Sequence, residues 1–220
     1  MDPIEPHRLV AFYDAHGAKQ DRVAWYEDRA LDRLVEHAAL DRARAVLELG
    51  AGTGRLARRL LDGPLPPDAT YLAVDQSPVM CALTRERLAP YADRAAVVEA
   101  PVDTLDPPPV DRVVTAYLLD ILPDDALAAL IDRSHRWLEP GGLFALASLT
   151  HGVTPLGRLV SRAWTAIHRR RPLLVGGCRP LTCAPHFTAP RWRIEHHSVI
   201  ESWGVPSEVL VARRLPENDR

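Results

Sequence analysis

The sequence predicts an α/β fold built on a doubly wound, mostly parallel sheet. Short apolar runs such as 46–49 and 71–74 have the length and continuity of strands buried on both faces. Each run is followed by apolar residues at helical spacing, so strands and helices alternate as in βαβ units. The 220 residues, 47% of them hydrophobic, suit one such domain with one sizeable core.

Composition excludes several other classes of protein. The net charge of −2 gives no overall attraction to nucleic acid, and we expect no nucleic-acid partner. The apolar runs, such as 143–147, are too short to span a bilayer. The first residues lack a basic segment followed by an apolar one, so no secretory leader is expected. Three cysteines form no disulfide framework, which fits a reducing compartment. We therefore expect a cytoplasmic protein without a transmembrane segment.

The first βα connection is rich in glycine. Gly50, Gly52 and Gly54 follow the strand 46–49, and a helix with apolar residues at helical spacing begins at Arg55. Glycines at these positions let the backbone turn tightly and bring bare amides against a ligand at the helix N-terminus. We predict a ligand site at this turn.

A carboxylate ends the second strand. Asp75 follows the run 71–74, about twenty residues beyond the glycines, where nucleotide-binding βαβ units carry a ribose-binding acid. Ser77 and Pro78 then supply an N-cap and a first helical residue for a helix over 78–88. This spacing favours a nucleoside-containing ligand.

Together these residues resemble a known family. The turn reads G-x-G-x-G with Glu48 two residues ahead, and a Leu-x-Pro-Gly-Gly segment at 138–142 precedes the strand 143–149. Both resemble motifs of class I S-adenosylmethionine-dependent methyltransferases, and the motif spacing is similar to that of the ubiquinone, menaquinone and phospholipid methyltransferase group. The resemblance covers roughly residues 44–149.

The resemblance implies the architecture and the cofactor. It implies S-adenosyl-L-methionine and a Rossmann-like, seven-stranded sheet, mostly parallel, with an antiparallel C-terminal hairpin strand. We expect one domain over 1–220: a helical N-terminal lid at 1–40, a cofactor-binding core at 41–149, a substrate-roof insertion after strand five at 150–190 and a closing β-hairpin at 191–215. The tail from Pro216 is expected to be disordered.

The resemblance also assigns cofactor-binding positions. Related enzymes place the adenine beside the loop after strand three, often against an acid; here that register falls on Pro101, so we expect the Val102 amide and the Asp103 side chain instead. The expected cofactor-binding residues are Glu48, Gly50, Ala51, Gly52, Gly54, Asp75, Gln76, Val102, Asp103 and Tyr117.

The N-terminal helices carry large amphipathic side chains. By resemblance, Tyr13, Gln20 and Tyr26 form part of a lid over the methionine end of the cofactor and the substrate. Alternatively, this segment packs on the sheet edge, with its aromatic side chains serving only as packing. Both interpretations stay open at this point.

A second amphipathic helix is predicted after strand five. Its apolar face, which includes Leu156, Leu159, Trp164 and Ile167, is expected to point inward and roof the acceptor pocket, with Trp164 near the substrate. Its arginines lie on the other side. The cluster 169–171 either binds an acidic substrate group, contacts anionic lipid or forms a solvated helix end.

Candidate groups for proton transfer are His151, Asp120 and His186. A base is needed only if the acceptor must lose a proton, and many relatives carry a histidine near position 120. The spacing of Cys178, Cys183 and His186 fits no standard zinc pattern, so we expect no metal.

The predicted function is methyl transfer from S-adenosylmethionine to a small-molecule acceptor, with an O, N, S or C acceptor atom and the oligomeric state open. An NAD(P)-dependent oxidoreductase is disfavoured by the glycine spacing and by the lack of a Tyr-x-x-x-Lys pair, since Lys19 is the single lysine. A non-catalytic S-adenosylmethionine-binding protein is the other alternative.

Overall fold

Seven strands form one sheet in the computed structural model, which describes residues 4–216. The strands are β1 (Ala45–Leu49), β2 (Thr70–Asp75), β3 (Ala95–Glu99), β4 (Val110–Ala116), β5 (Leu138–Leu149), β6 (Trp192–Ser202) and β7 (Val205–Arg214). Their order in the sheet is β3-β2-β1-β4-β5-β7-β6. The tail predicted to be disordered falls, beyond Pro216, outside the described residues.

Six α-helices accompany the strands. They are α1 (Pro6–His16), α2 (Ala24–His37), α3 (Arg55–Asp62), α4 (Pro78–Leu88), α5 (Asp124–Trp137) and α6 (Pro155–Arg170). A 3-10 helix over Gly17–Val23 joins α1 to α2. Ser77 caps α4 as predicted, because its side chain accepts a hydrogen bond from the Met80 amide at 3.1 Å.

The topology confirms the predicted fold class. β1 to β5 are parallel, β7 runs antiparallel to β5, and β6 runs antiparallel to β7. One hydrophobic cluster packs α2 and α3 on one face of the sheet, and a second packs α5 and residues of the 181–192 segment on the other. The order of the strands reverses between β1 and β4, so the carboxyl ends of these two strands flank the crevice where such sheets bind ligands.

The start of β5 differs from the prediction. The segment 138–142 was expected to be a turn before the strand, but β5 already begins at Leu138. The register shifts there: Val110 pairs with Leu138, whereas Arg112 pairs with Leu143. The Pro-Gly-Gly segment is therefore a bulge inside β5, and it adds length without leaving the sheet.

Helix α6 also differs from the prediction. It forms where expected, but only part of its apolar face points inward: Trp164 packs against Tyr26, whereas Leu156 and Leu159 are 57% and 65% exposed. The buried face carries Gly157, Ser161 and His168 instead. A small residue suits this face, since a Cβ on Gly157 would lie 2.2 Å from a carboxylate oxygen of Glu201 in β6.

Within residues 4–216, none of the helices combines the length and the hydropathy that a membrane crossing requires.

Candidate functional site

A cavity of about 840 Å³ opens at the carboxyl ends of the parallel strands, beside the reversal in strand order. Its lining comes from the turn after β1, the end of β2, the loop after β3 and the end of β4, with α1 and α5 on its outer sides. The predicted residues that line it are Tyr13, Gln20, Glu48, Gly50, Ala51, Gly52, Asp75, Gln76, Val102, Asp103 and Tyr117. The fold thus gathers them from five separate segments.

The glycine turn is held by the neighbouring strand. The amides of Gly50 and Ala51 both donate to the carbonyl of Val74, each at 2.9 Å. All three glycines have positive φ, between 55° and 75°, which side chains rarely adopt. The turn is therefore fixed by the end of β2.

The three glycines have different surroundings. A Cβ on Gly50 would lie 3.1 Å from Leu118, and one on Gly54 would lie 3.0 Å from the Cα of Thr84. At Gly52, by contrast, nothing lies within 4 Å, and this residue lines the cavity. Gly54 thus serves helix packing, while Gly52 leaves space for a ligand against the backbone.

Asp75 joins the turn to the start of α4. Its Oδ2 accepts a hydrogen bond from the Gly52 amide at 2.8 Å, and its Oδ1 accepts one from the Ser77 amide at 2.9 Å. Burial raises the pKa of Asp75, an effect opposed by the amide hydrogen bonds. Each carboxylate oxygen has two lone pairs, so the side chain keeps capacity for two further donors in the cavity.

Glu48 lies beneath the turn. It is 2% exposed, and the Tyr71 hydroxyl donates to its Oε2 at 2.9 Å. Burial raises the pKa of Glu48 to about 8, and the nearby Asp75 charge adds to that shift. The side chain is therefore a neutral acid at pH 7, held in place by Tyr71.

A 3-10 helix over Val102–Thr104 forms another wall of the cavity. Pro101 caps it at the N-terminus with extended backbone, and both Pro101 and Thr104 line the cavity with the two predicted residues. Leu118 and Leu130 supply apolar lining nearby. Apolar side chains and backbone amides thus lie together on this wall, and this combination suits the binding of a heteroaromatic ring.

The N-terminal segment covers the cavity. Tyr13 donates a hydrogen bond from its hydroxyl to the carbonyl of Gly176 at 3.0 Å, and Ser77 donates to a carboxylate oxygen of Asp14. Asp21 in the following 3-10 helix accepts hydrogen bonds from Thr53 at 2.5 Å and from Arg87 at 2.8 Å. The segment is thus anchored to the glycine turn and to α4.

A charged pair lies next to the glycine turn. Arg55, the first residue of α3, donates to Glu27 of α2 at 2.8 Å and also to Asp28. Both Arg55 and Glu27 line the cavity. Burial raises the pKa of Glu27 to about 7, although Arg55 opposes the shift. The wall near the turn therefore offers one cationic and one acidic group.

Comparison with known proteins identifies the domain. Residues 46–142 match the family model described as methyltransferase domain. The match covers just under half of the chain and identifies these residues as a methyltransferase domain. This match supports the prediction of S-adenosylmethionine as the cofactor.

Two curated relatives match the methyltransferase domain. Carboxy-S-adenosyl-L-methionine synthase of Chromohalobacter salexigens is 37% identical over 105 residues, covering 46% of this chain and 38% of the relative. Malonyl-[acyl-carrier protein] O-methyltransferase of Geobacter sulfurreducens is 35% identical over 147 residues, covering 66% and 52%. The matches thus span about a third to a half of these relatives.

A solved structure shows the same fold. The N-methyltransferase NodS of Bradyrhizobium japonicum, in complex with S-adenosyl-L-homocysteine, superposes with a TM-score of 0.65 at 16% identity. The match covers 87% of this chain and 88% of NodS. At 16% identity, this similarity shows a shared fold and no more.

The residues present fit the cofactor of the methyltransferase domain. Asp75 retains acceptor capacity in the cavity, and the space beside Gly52 is one that a Cβ would fill. The amino-acid end of S-adenosylmethionine carries an ammonium and a carboxylate, and the Glu27–Arg55 pair presents groups of the opposite charges. Glu27, Thr53 and Arg55 were not predicted, although Thr53 and Arg55 lie within and next to the G-x-G-x-G motif.

Three other predicted residues do not line the cavity. Gly54 faces Thr84, as described above. Tyr26 is buried in a small cluster with Leu149 and Val205, and its ring makes edge contacts with Tyr117 and Trp164. The Trp164 indole donates to the carbonyl of Cys178 at 3.0 Å. Tyr26 therefore serves in packing, the alternative considered for the N-terminal aromatic side chains. Tyr13 and Gln20, in contrast, line the cavity.

None of the three candidates for proton transfer lines the cavity. His151 and His186 are both exposed, and neither lines the cavity. Asp120 is fully buried; one oxygen accepts from the Leu149 amide at 3.2 Å, and the other has no hydrogen-bond partner within the described chain. Burial raises the pKa of Asp120 to about 7. Among residues 4–216, no group of three His, Cys, Asp or Glu residues could hold a metal ion.

Proposed function

We propose that this protein transfers a methyl group from S-adenosylmethionine to a small-molecule acceptor. The observation that carries the proposal is the cavity in which Asp75, the open side of Gly52 and the covering helix α1 meet. Its volume of about 840 Å³ lies toward the upper end of the range of small-molecule sites, roughly 300–1,000 Å³. A cofactor and a modest acceptor can share such a space.

Each part of the cofactor has a group that would hold it. Asp75 would accept hydrogen bonds from the ribose hydroxyls, and the Val102–Thr104 wall would receive the adenine. Arg55 and Glu27 would hold the carboxylate and the ammonium of the amino-acid end. These assignments follow from the chemistry of the cavity-lining groups.

When bound, S-adenosylmethionine supplies a methyl group already activated by the sulfonium charge. The work left for this chain is to align the acceptor and to exclude water. Tyr13 and Gln20 would do both from the covering segment, since they line the cavity and α1 is anchored through Asp14 and Tyr13. None of these roles requires an obligatory acid or base.

The covering segment also favours a small acceptor over a macromolecule. α1 packs over the cavity and, through the hydroxyl of Tyr13, reaches the segment after α6. A small organic molecule can be enclosed beneath such a cover. The relative from Geobacter is by its name an O-methyltransferase of malonyl-[acyl-carrier protein], which supports an oxygen acceptor on a small acyl group.

Two measurements test this proposal. Calorimetric titration with S-adenosylmethionine and with NADH distinguishes a methyltransferase from an oxidoreductase; we expect binding of the first alone. Release of S-adenosylhomocysteine is then measured over a panel of small carboxylic acids, phenols, amines and thiols, with Asp75→Ala as the control that loses the signal. Cofactor binding without turnover of any acceptor would support a non-catalytic binding protein instead, and NADH binding would overturn the assignment.

A further inference from the structure

Helix α6 presents an apolar stripe to solvent. Leu156, Leu159 and Ile167 are 57%, 65% and 43% exposed, and their spacing places them along one side of the helix. Large apolar side chains in a contiguous exposed patch indicate an interaction surface, whereas isolated ones do not. We therefore expect another molecule to bind to this stripe.

The tip of the β6–β7 hairpin extends this stripe. Trp203 at the tip is 82% exposed and has a positive φ of 54°. A Cβ on the adjacent Gly204 would lie 3.0 Å from the side chain of Leu156, so the tip packs directly on α6. We refer to Val153, Leu156, Leu159, Ile167 and Trp203 as the α6–hairpin face.

This face is rigid. The carboxylate of Glu201 accepts hydrogen bonds from the amides of Val153 and Thr154 at 2.7 and 2.9 Å, and thus satisfies donors at the start of α6. Gly157 lets the helix approach this carboxylate closely. The helix and the hairpin tip are therefore held as one surface.

The same region is strongly basic. From residue 152 to 194 the sequence contains eight arginines and no aspartate or glutamate, although the whole chain has a net charge of −2. Arg158, Arg162, Arg169 and Arg170 are exposed on α6, next to the apolar stripe. Of the other arginines, Arg179, Arg191 and Arg193 pair with Asp124, Asp132 and Glu195, so the exposed arginines of α6 give this face its positive charge.

We propose that the α6–hairpin face docks on an anionic lipid bilayer. Arginines beside a stripe of leucine and tryptophan fit the boundary between charged headgroups and acyl chains, which accepts both kinds of group. A nucleic acid would pair with the arginines but leave the apolar side chains in water. A second copy related by two-fold symmetry would cover the apolar stripe but would add its own arginines to the same interface. This surface is larger than the cluster 169–171 considered from sequence.

Vesicle flotation of the full chain measures the docking. Vesicles of phosphatidylcholine alone are compared with vesicles containing about a third phosphatidylglycerol, in low and in high salt. We expect binding to the anionic vesicles to be at least about tenfold stronger and to weaken with salt. Binding should also shift the fluorescence of Trp203 to shorter wavelength, a shift that Trp203→Asn removes; asparagine tolerates the positive φ.

Paired variants test each component. Arg158→Gln with Arg162→Gln should weaken binding by roughly fivefold or more for each arginine. Leu159→Gln with Trp203→Asn should weaken it about tenfold or more, at unchanged net charge. Arg42→Gln with Arg136→Gln removes the same charge from other surfaces, and Val98→Gln removes an exposed apolar side chain from β3; both should bind as the parent does.

Several outcomes would overturn the proposal. Equal binding to both kinds of vesicle, or full binding by the α6–hairpin variants, would show that this face does not dock on lipid. Loss of dimerisation in the same variants, measured by sedimentation equilibrium, would assign the face to a second copy. Tight binding of a DNA or RNA duplex that depends on the arginines alone would assign it to nucleic acid. Thermal unfolding of each variant confirms that it is folded.

Discussion

The Gly52 amide donates a hydrogen bond of 2.8 Å to Oδ2 of Asp75, and this contact joins the two segments that were predicted to bind the cofactor. It fixes the carboxylate at the edge of the cavity before any ligand is present. Such preorganisation lowers the entropic cost of binding, since the acceptor does not have to find its position.

We predict that Asp75→Ala weakens S-adenosylmethionine binding by about 1.5–3 kcal/mol, the range for hydrogen bonds to a charged group, or roughly 10- to 150-fold. Calorimetric titration measures the change. Glu99→Ala is the matched control, because Glu99 pairs with Asp75 in the register of β2 and β3 but does not line the cavity. Equal affinity of the two variants would refute the role of Asp75.

Substitution of two glycines should separate an effect on cofactor binding from an effect on the stability of the fold. Gly52→Ala has room for its Cβ and should cost roughly 1–2 kcal/mol of stability through its positive φ, while obstructing the cofactor. Gly54→Ala places its Cβ 3.0 Å from backbone of Thr84 and should destabilise the fold more. Denaturant unfolding and cofactor titration of both variants provide the comparison, and equal destabilisation would contradict it.

The covering segment is tested by two adjacent residues. Gln20 lines the cavity and Lys19 is exposed outside it. Gln20→Ala should weaken cofactor or acceptor binding by about 1 kcal/mol, roughly fivefold, if its amide makes one hydrogen bond to the ligand. Lys19→Ala should leave affinity unchanged. If the two variants behave alike in titration and in KM, the segment is a packing element only.

The raised pKa of Glu48 predicts that the stability of the protein depends on pH. Its pKa is raised from 4.5 to about 8 in the folded protein, so the folded state holds a proton that the unfolded chain releases. The stabilising contribution is complete below about pH 4.5 and is lost as the pH rises to 8, at roughly 1.4 kcal/mol per pH unit at most. Glu48→Gln, neutral throughout, should flatten this decline and be more stable than the parent at pH 8.

Urea unfolding at pH 5, 6.5 and 8 measures the effect. The informative quantity is the difference between parent and variant, because Glu27 and Asp120 also have raised pKa values and add slopes of the same sign. The exposed Glu86→Gln serves as the control. A difference that is constant across the pH range would exclude a shifted pKa at Glu48.

The part of the fold that could be predicted depends on local signals. The glycines, Asp75 and the cap at Ser77 are each recognised within a few residues of sequence. All of them lie at or just beyond the carboxyl ends of β1 and β2, which meet at one edge of a parallel sheet. Gly54 was assigned to the cofactor because spacing alone does not show which glycine faces Thr84. That distinction depends on the position of α4.

The less successful predictions concern long-range packing. Periodicity identified the apolar face of α6 but does not show whether another element covers it. Leu156, Leu159 and Ile167 on that face are exposed. Likewise, the position of His186 depends on the path of the irregular segment after α6, which has no repeating pattern. Arg55 and Glu27 are brought together by the docking of α2 on α3, a contact that no motif encodes.

The position of β7 has a consequence for how the chain is assembled during synthesis. β6 leaves the ribosome first, yet it can join the sheet only through β7, which lies between it and β5. Until β7 follows, β5 presents an unpaired edge that could pair with another nascent chain. Five strands can therefore form during translation, while β6 can join the sheet only together with β7 or after it.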